Sequence, residues 1–252
     1  MKQIIFYNIR KSRFDFLYNI NNIEVGDFMG NIVGVEKHGY TYRGEFYEYR
    51  DYRNLNEKLG SNREIVILGE PLLVKVYNFE ENKNSLEKFI EEIIIKDFSV
   101  GDDLLFHYDF MKGINKVYVY SIKKGIAVEK IIDGAKSISV IPIQFKIKEL
   151  INNKLKRYRN FISISKIRDI YYLINVEDGV IINGLVDENI DNAFKELSKY
   201  IKINKEVIFD RSINIDMKNE IEDIKEIQYL KIGETINEKL FKKQKFYTKK
   251  LY

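Results

Sequence analysis

Two histidines, His38 and His107, are the chain's only imidazoles, and neither sits at ligand spacing from a second histidine or a carboxylate. Glu91-Glu92 and Asp102-Asp103 are sequence neighbours whose side chains point in different directions. Neither pair can share a proton or clamp a substrate from both sides. General acid work needs a placed partner, and His107 in Phe106-His107-Tyr108 has none in its own stretch, so it reads as a strand residue. The chain has no cysteine, which removes disulfides, thiolate metal sites and a cysteine nucleophile. No loop carries the dense alternating acids of a calcium site. No Gly-x-x-x-x-Gly-Lys-Ser/Thr is present, and no Gly-x-Gly-x-x-Gly follows a strand, so the common phosphate loops are missing.

Two stretches mix aromatic and basic residues. Tyr40 to Arg53 interleaves tyrosines and Phe46 with Arg43, Arg50 and Arg53, a pattern that can stack single-stranded bases. The plainer reading is an edge strand with a half-buried aromatic face, since tyrosine favours strands. Residues 239 to 250 hold six lysines and no acid. Lys242, Lys243, Lys245, Phe246, Tyr247, Lys249 and Lys250 form a tail that suits an anionic membrane surface or an acidic partner. A disordered tail is the alternative. The formal net charge of +4 comes largely from this tail. The remainder is close to neutral, unlike a nucleic-acid groove, so nucleic acid is an unfavoured partner.

The elements that must position these residues alternate between strand and helix patterns. The apolar run Ile65 to Leu68 predicts a strand covered on both faces. Ser85 is placed to cap a helix through Lys96, with Leu86, Phe89, Ile90, Ile93 and Ile94 at helical spacing. Strands are expected at 31–36, 40–50, 103–109 and 116–122. A short helix is expected over 125–135, a strand over 137–141, and then a helix from Pro142 to about Leu155. The basic stretch Asn152 to Asn160, with Lys154, Lys156, Arg157 and Arg159, reads as a hinge. Beyond it, Asp187 or Asn189 caps a helix bearing Ile190, Phe194, Leu197 and Ile201. Strands are expected at 207–209 and 227–232 and a final helix at 235–241. No run approaches the ~20 apolar residues that span a bilayer, and the first residues are charged too early for a signal peptide. The expectation is a soluble chain.

Ile170 to Val186 carries two β-branched and aromatic runs around Glu177-Asp178-Gly179, a strong hairpin signal. Residues 4 to 20 echo it, with a turn at Arg10 to Arg13. Each copy places an Asn near the end of its first strand, Asn8 and Asn175. A chain whose halves open on the same hairpin predicts a duplicated α/β fold: a first lobe over 1–158, a second over 159–240, and the tail 241–252.

The order running from Ile65 through the helix Ser85 to Lys96, Leu104 to Asp109, Val117 to Tyr120 and Ser139 to Phe145 resembles the cytoplasmic actin-like proteins of type IV pilus and type II secretion inner-membrane platforms. These are the PilM family and the cytoplasmic part of GspL. The resemblance implies a two-lobed, duplicated ribonuclease-H-like α/β fold with a shortened second lobe. It also implies a cytoplasmic location peripheral to the inner membrane, and a PilN-like membrane-anchored platform protein as partner. Actin-like ATPases carry Asp-x-Gly at each opening hairpin, for magnesium or water and for close phosphate approach. Here the matching positions read Asn8-Ile9-Arg10 and Asn175-Val176-Glu177. An amide is a poor magnesium ligand, Arg10 and Glu177 fill space that needs glycine, and Glu177 repels phosphate. The expectation is a scaffold that binds no nucleotide cofactor and hydrolyses none. An active ATP-dependent enzyme of the actin-like and sugar-kinase superfamily, and a single-strand nucleic-acid binder, are the alternatives.

Overall fold

The computed structural model describes residues 31–80, 85–98, 103–155, 159–200, 206–213 and 227–241. The predicted opening hairpin at 4–20, with Asn8 and Arg10, lies outside the described residues. So do Asp102, Lys156, Arg157 and the tail residues from Lys242 onward.

The chain builds the same five-stranded sheet twice. The first runs β3-β2-β1-β4-β8, from β1 (Ile32–Val35), β2 (Gly39–Tyr42), β3 (Glu45–Glu48), β4 (Asn62–Ile67) and β8 (Ser137–Pro142). Strands β1 to β3 form an antiparallel meander, and β4 and β8 run parallel to β1. The second sheet runs β11-β10-β9-β12-β13, from β9 (Phe161–Ile167), β10 (Ile170–Glu177), β11 (Val180–Asp187), β12 (Glu206–Asp210) and β13 (Ile227–Leu230). It repeats both the meander and the two parallel strands. Apolar residues on both faces of β4 and β9 make these strands central, as the run Ile65 to Leu68 predicts.

The helices repeat as well. Helix α1 (Tyr52–Lys58) links β3 to β4, as α5 (Ile190–Ser198) links β11 to β12. Helix α4 (Ile143–Leu155) follows β8 directly, and α6 (Ile232–Phe241) follows β13. Pro142 closes β8 and Ile143 is the first helical residue, so the proline sits at the expected start. Helices α4 and α6 lie between the sheets: α4 touches β8 and β10, and α6 touches β1, β2 and β9. Ile143, Phe145, Ile147, Ile232, Ile236 and Leu240 are buried there in one continuous core with residues from both sheets.

Among the described residues the copies differ in the connection between their fourth and fifth strands. Between β4 and β8 the first sheet carries an inserted unit of three strands, β5 (Leu73–Asn78), β6 (Leu105–Met111) and β7 (Lys116–Ile122), in the order β5-β7-β6. Helix α2 (Leu86–Asp97), capped at Ser85 through the Lys88 N–H, covers one face with Ile90, Ile93 and Ile94. Helix α3 (Gly125–Lys130) returns the chain to β8.

Two sequence expectations need correction. The single strand over 40–50 is a hairpin, broken at Arg43-Gly44, both at positive φ. The second sheet does not open on the Ile170–Val186 hairpin, which exists but forms the second and third strands. β9 opens it, and its Ile-Ser-Ile-Ser alternation beside the basic stretch is a strand buried on both faces. The counterpart of Ile170–Val186 within the first sheet is therefore β2–β3.

Candidate functional site at the junction of the two sheets

The turn that opens each sheet's meander is set by topology: Glu36-Lys37-His38 between β1 and β2, and Arg168-Asp169 between β9 and β10. The two turns meet. Arg168 Nη1 lies 2.7 Å from Glu36 Oε2, and its guanidinium stacks 3.6 Å from the centre of the Phe241 ring at the end of α6. Glu36 is held from its own side, because Thr41 donates its hydroxyl to Oε1 and Tyr49 donates to the backbone carbonyl. Arg168 holds a left-handed backbone at φ 54, unusual for a side chain of this size.

A second cation reaches the same turn from the inserted unit. Lys124, left-handed at φ 90, places Nζ 3.3 Å from Glu70 Oε1, 3.3 Å from the Lys37 carbonyl, and over the Tyr49 ring. Burial alone would lower the Lys124 ammonium, but Tyr49 and Glu70 more than offset this and hold it above its ordinary value. The Glu70 carbonyl in turn accepts from buried Gln144 at 2.8 Å. A second bond joins the sheets where the Gly69 N–H donates to Tyr172 Oη at 2.9 Å. Gly69 has φ +72, and a Cβ there would lie 3.2 Å from Ile170 of the second sheet, so glycine permits this approach. Burial raises the Tyr172 phenol well above its usual range, keeping it neutral.

The junction thus holds two basic side chains, each matched to a carboxylate of this chain. Chemically, it is a set of internal ion pairs placed where the two sheets could otherwise part. Sequence reading named none of Glu36, Glu70, Lys124 or Arg168. Their spacing carries no motif, and only the strand count would have exposed the two turns.

The residues singled out from sequence fall elsewhere. Asn175 is buried in β10, paired in register with Asn183 and Ile162, and Glu177 ends the strand. From Asp169 they are six and eight residues along the chain, roughly 20 and 26 Å of strand. Tyr40 and Tyr42 are core residues, and the Tyr40 hydroxyl donates to the Ala127 carbonyl at 2.8 Å, so neither is free to stack a base. His38 is exposed in the β1–β2 turn. Among the described residues no group of three or more His, Cys, Asp or Glu side chains is placed to hold a metal ion. No described helix is long and apolar enough to cross a membrane.

Against the sequence expectation, His107 does have a placed partner: it shares a strand face with Asp109, two residues on. It stacks on Tyr120 at 5.9 Å, meets the edge of Phe145 on α4, and lies 3.7 Å from Asp109. Asp109 accepts from Tyr120 at 3.1 Å, and nearby Lys148 of α4 donates to the Gly179 carbonyl in the β10–β11 turn at 3.0 Å. Burial would raise the Asp109 carboxyl, yet His107, Lys148 and Tyr120 hold it below its ordinary value. Burial pulls the Lys148 ammonium down, with Asp109 opposing. This cluster fastens the inserted unit to α4 and to the second sheet.

No protein-family model matches the sequence, and no curated protein matches it significantly. Solved structures do resemble the fold. A Bacteroides thetaiotaomicron protein with actin-like ATPase fold and unknown function aligns over 82% of this chain and 94% of its own, with TM-score 0.50 and 11% identity. The cytoplasmic domain of EpsL, an inner membrane component of the type II secretion system of Vibrio cholerae, aligns over 71% and 80% (TM-score 0.45, 9% identity). A PilM–PilN type IV pilus biogenesis complex aligns over 75% and 76% (TM-score 0.44, 10% identity). Together with the twice-repeated sheet order, the first of these shows that the chain has an actin-like fold.

Proposed function

We propose that this chain is a non-hydrolysing scaffold of actin-like fold, working on the cytoplasmic side of an inner-membrane assembly platform of the type IV pilus or type II secretion kind. Its partner is a membrane-anchored platform protein of PilN type. The order of elements from Ile65 to Phe145, which resembles the platform proteins, supports the class of machine. The basic tail Lys242 to Lys250 supports contact with an anionic membrane surface near that partner.

One observation carries the non-hydrolysing part. The two opening turns are where an actin-like ATPase presents its metal-handling acid and its phosphate-approaching glycine. Here they are tied to each other through Glu36 and Arg168, with Glu70 and Lys124 beside them. Carboxylates already satisfy these cations, so an incoming phosphate must displace an internal anion and face two negative side chains. Isothermal titration with magnesium-ATP, followed by a phosphate-release assay, tests this. The expected result is no heat of binding at micromolar protein and no turnover. Micromolar binding that disappears in Arg168→Ala would overturn the scaffold reading in favour of an ATP-dependent enzyme.

A further inference from the structure

Strand β6 is an open edge. It pairs with β7 on one side, and among the described residues no strand pairs with its other side. Its exposure follows from this: Val117 to Ile122 of β7 are all buried, while His107 to Met111 of β6 are each half-buried. An edge of seven residues with this much apolar surface is a template for another strand. The other edges offer less. β3 and β13 have four residues each, β8 ends at Pro142, which has no N–H, and β11 lies against β5.

The sequence of β6, Leu-Phe-His-Tyr-Asp-Phe-Met, is matched to its own reversal. In an antiparallel pair, opposite residues share a face and their Cβ atoms stand ~5 Å apart. With Tyr108 opposite Tyr108, the pairing sets Phe106 against Phe110, Leu105 against Met111, and His107 against Asp109. Every pair is then of like or complementary chemistry: aromatic on aromatic, apolar on apolar, imidazole on carboxylate. Moving the axis by one residue either way sets His107 against itself and Leu105 against Asp109, or Asp109 against itself and His107 against Met111. The faces are already sorted within one molecule. Phe106, Tyr108 and Phe110 join the α2 cluster, and His107 and Asp109 lie on the α4 side. A two-fold axis perpendicular to the sheet keeps each face on its own side, so the aromatic row and the polar row both continue across the junction.

We propose that two molecules of this chain pair antiparallel through β6, about a two-fold axis at Tyr108, joining their three-stranded sheets edge to edge. The contact is isologous and closed, so it stops at a dimer. An edge-to-edge contact is smaller than a standard interface, so the dimer is weak and dissociates on dilution.

Sedimentation velocity of the full chain over a concentration series is expected to show a monomer–dimer equilibrium. Tyr108→Lys and Tyr108→Glu each put like charges face to face at the axis and should weaken the dimer at least about tenfold. Mixed in equal amounts, the two variants should associate again, lysine against glutamate, which a folding defect in either one does not produce. The chain has no cysteine, so Tyr108→Cys with a short bifunctional thiol reagent gives a reading that does not depend on the charged variants folding. Phe46→Cys, at an exposed position on β3, is the control. Cross-linked dimer is expected from position 108 and only background from position 46. A parent that is monomeric at its highest soluble concentration, folded charge variants whose mixture stays monomeric, or equal yields at the two cysteine positions would overturn the pairing.

Discussion

The two five-stranded sheets share one order and differ in what joins their fourth and fifth strands. In the first copy that connection, residues 68–136, folds into the unit β5-α2-β6-β7-α3. In the second it is the span 211–226. The longer connection does more than add mass: it delivers Glu70 and Lys124 to the β1–β2 turn and the His107–Asp109 cluster to α4. Equivalent positions in the two copies therefore carry different burdens, and substitutions made in pairs can measure this.

The largest difference is expected at the second residue of the helix after the fifth strand. In the second copy it is Gly233, where a Cβ would stand 1.9 Å from the Lys166 carbonyl and 2.6 Å from Asp210 Oδ2. The Gly233 N–H donates to that buried carboxylate at 2.5 Å, which also accepts from Lys166 N at 3.3 Å. In the first copy the position is Gln144, a buried side chain with a bonded amide. Gly233→Ala must push α6 off β9 and should cost about 3 kcal/mol in urea unfolding, the upper range for overpacking. Gln144→Ala should cost about 1–2 kcal/mol for its lost hydrogen bond and packing. Equal costs would mean that the copies are packed alike.

Tyrosines at matching register give a smaller contrast. Tyr172 pairs with Ser165 and Tyr42 with Val33, each two residues before the end of the first strand. The Tyr172 hydroxyl crosses to Gly69 of the other copy, while that of Tyr42 stays at home with Asn31 and Lys58 at 3.2 and 3.4 Å. Tyr172→Phe leaves the Gly69 N–H without its acceptor and should cost about 1–2 kcal/mol, and Tyr42→Phe less than about 1. The inserted unit adds an acid-sensitive element, the Asp109 carboxyl. Because the Asp109 carboxyl titrates below its unfolded value of ~3.9, it contributes stability above that value and loses it as pH falls through the depressed folded one. Melting temperatures from pH 6 down to pH 3 should drop less steeply in Asp109→Asn than in the parent.

How much of this was legible beforehand follows from which signals are local. The Ser85 cap, the Pro142 helix start and the Asp178-Gly179 hairpin are short-range chemistry, and each stands where the sequence places it. The resemblance in element order led to an actin-like α/β fold for the same reason. What failed was counting. β9 places serines opposite isoleucines, yet Ser163 and Ser165 are as buried as Ile162 and Ile164, because this central strand is covered on both faces. Alternation that looks like a half-exposed strand next to a basic stretch gave no cue to a central one. With β9 as the first strand, the second copy's opening turn falls at Arg168 and not at Asn175 and Glu177. Ion pairs such as Glu36 with Arg168 join positions 132 apart, which no spacing rule reaches.

That pair gives the smallest expected energy and the sharpest test of whether the two turns act together. Arg168 is 42% exposed and Glu36 20%, so water screens the pair and its coupling should be about 0.5–1 kcal/mol at low salt. A double-mutant cycle with Glu36→Gln and Arg168→Gln isolates that coupling from the separate bonds of Glu36 to Thr41 and of Arg168 to the Phe241 ring. Adding 1 M salt, where the screening length falls to about 3 Å, should remove most of it. Phe241→Ala should shrink the coupling as well, because the ring beneath the guanidinium fixes its direction and part of its desolvation. A coupling indistinguishable from zero at low salt would mean that the turns are neighbours without being partners. The two copies would then be held together by the α4–α6 core, by Tyr172 and by bonds such as that of Lys148 to Gly179.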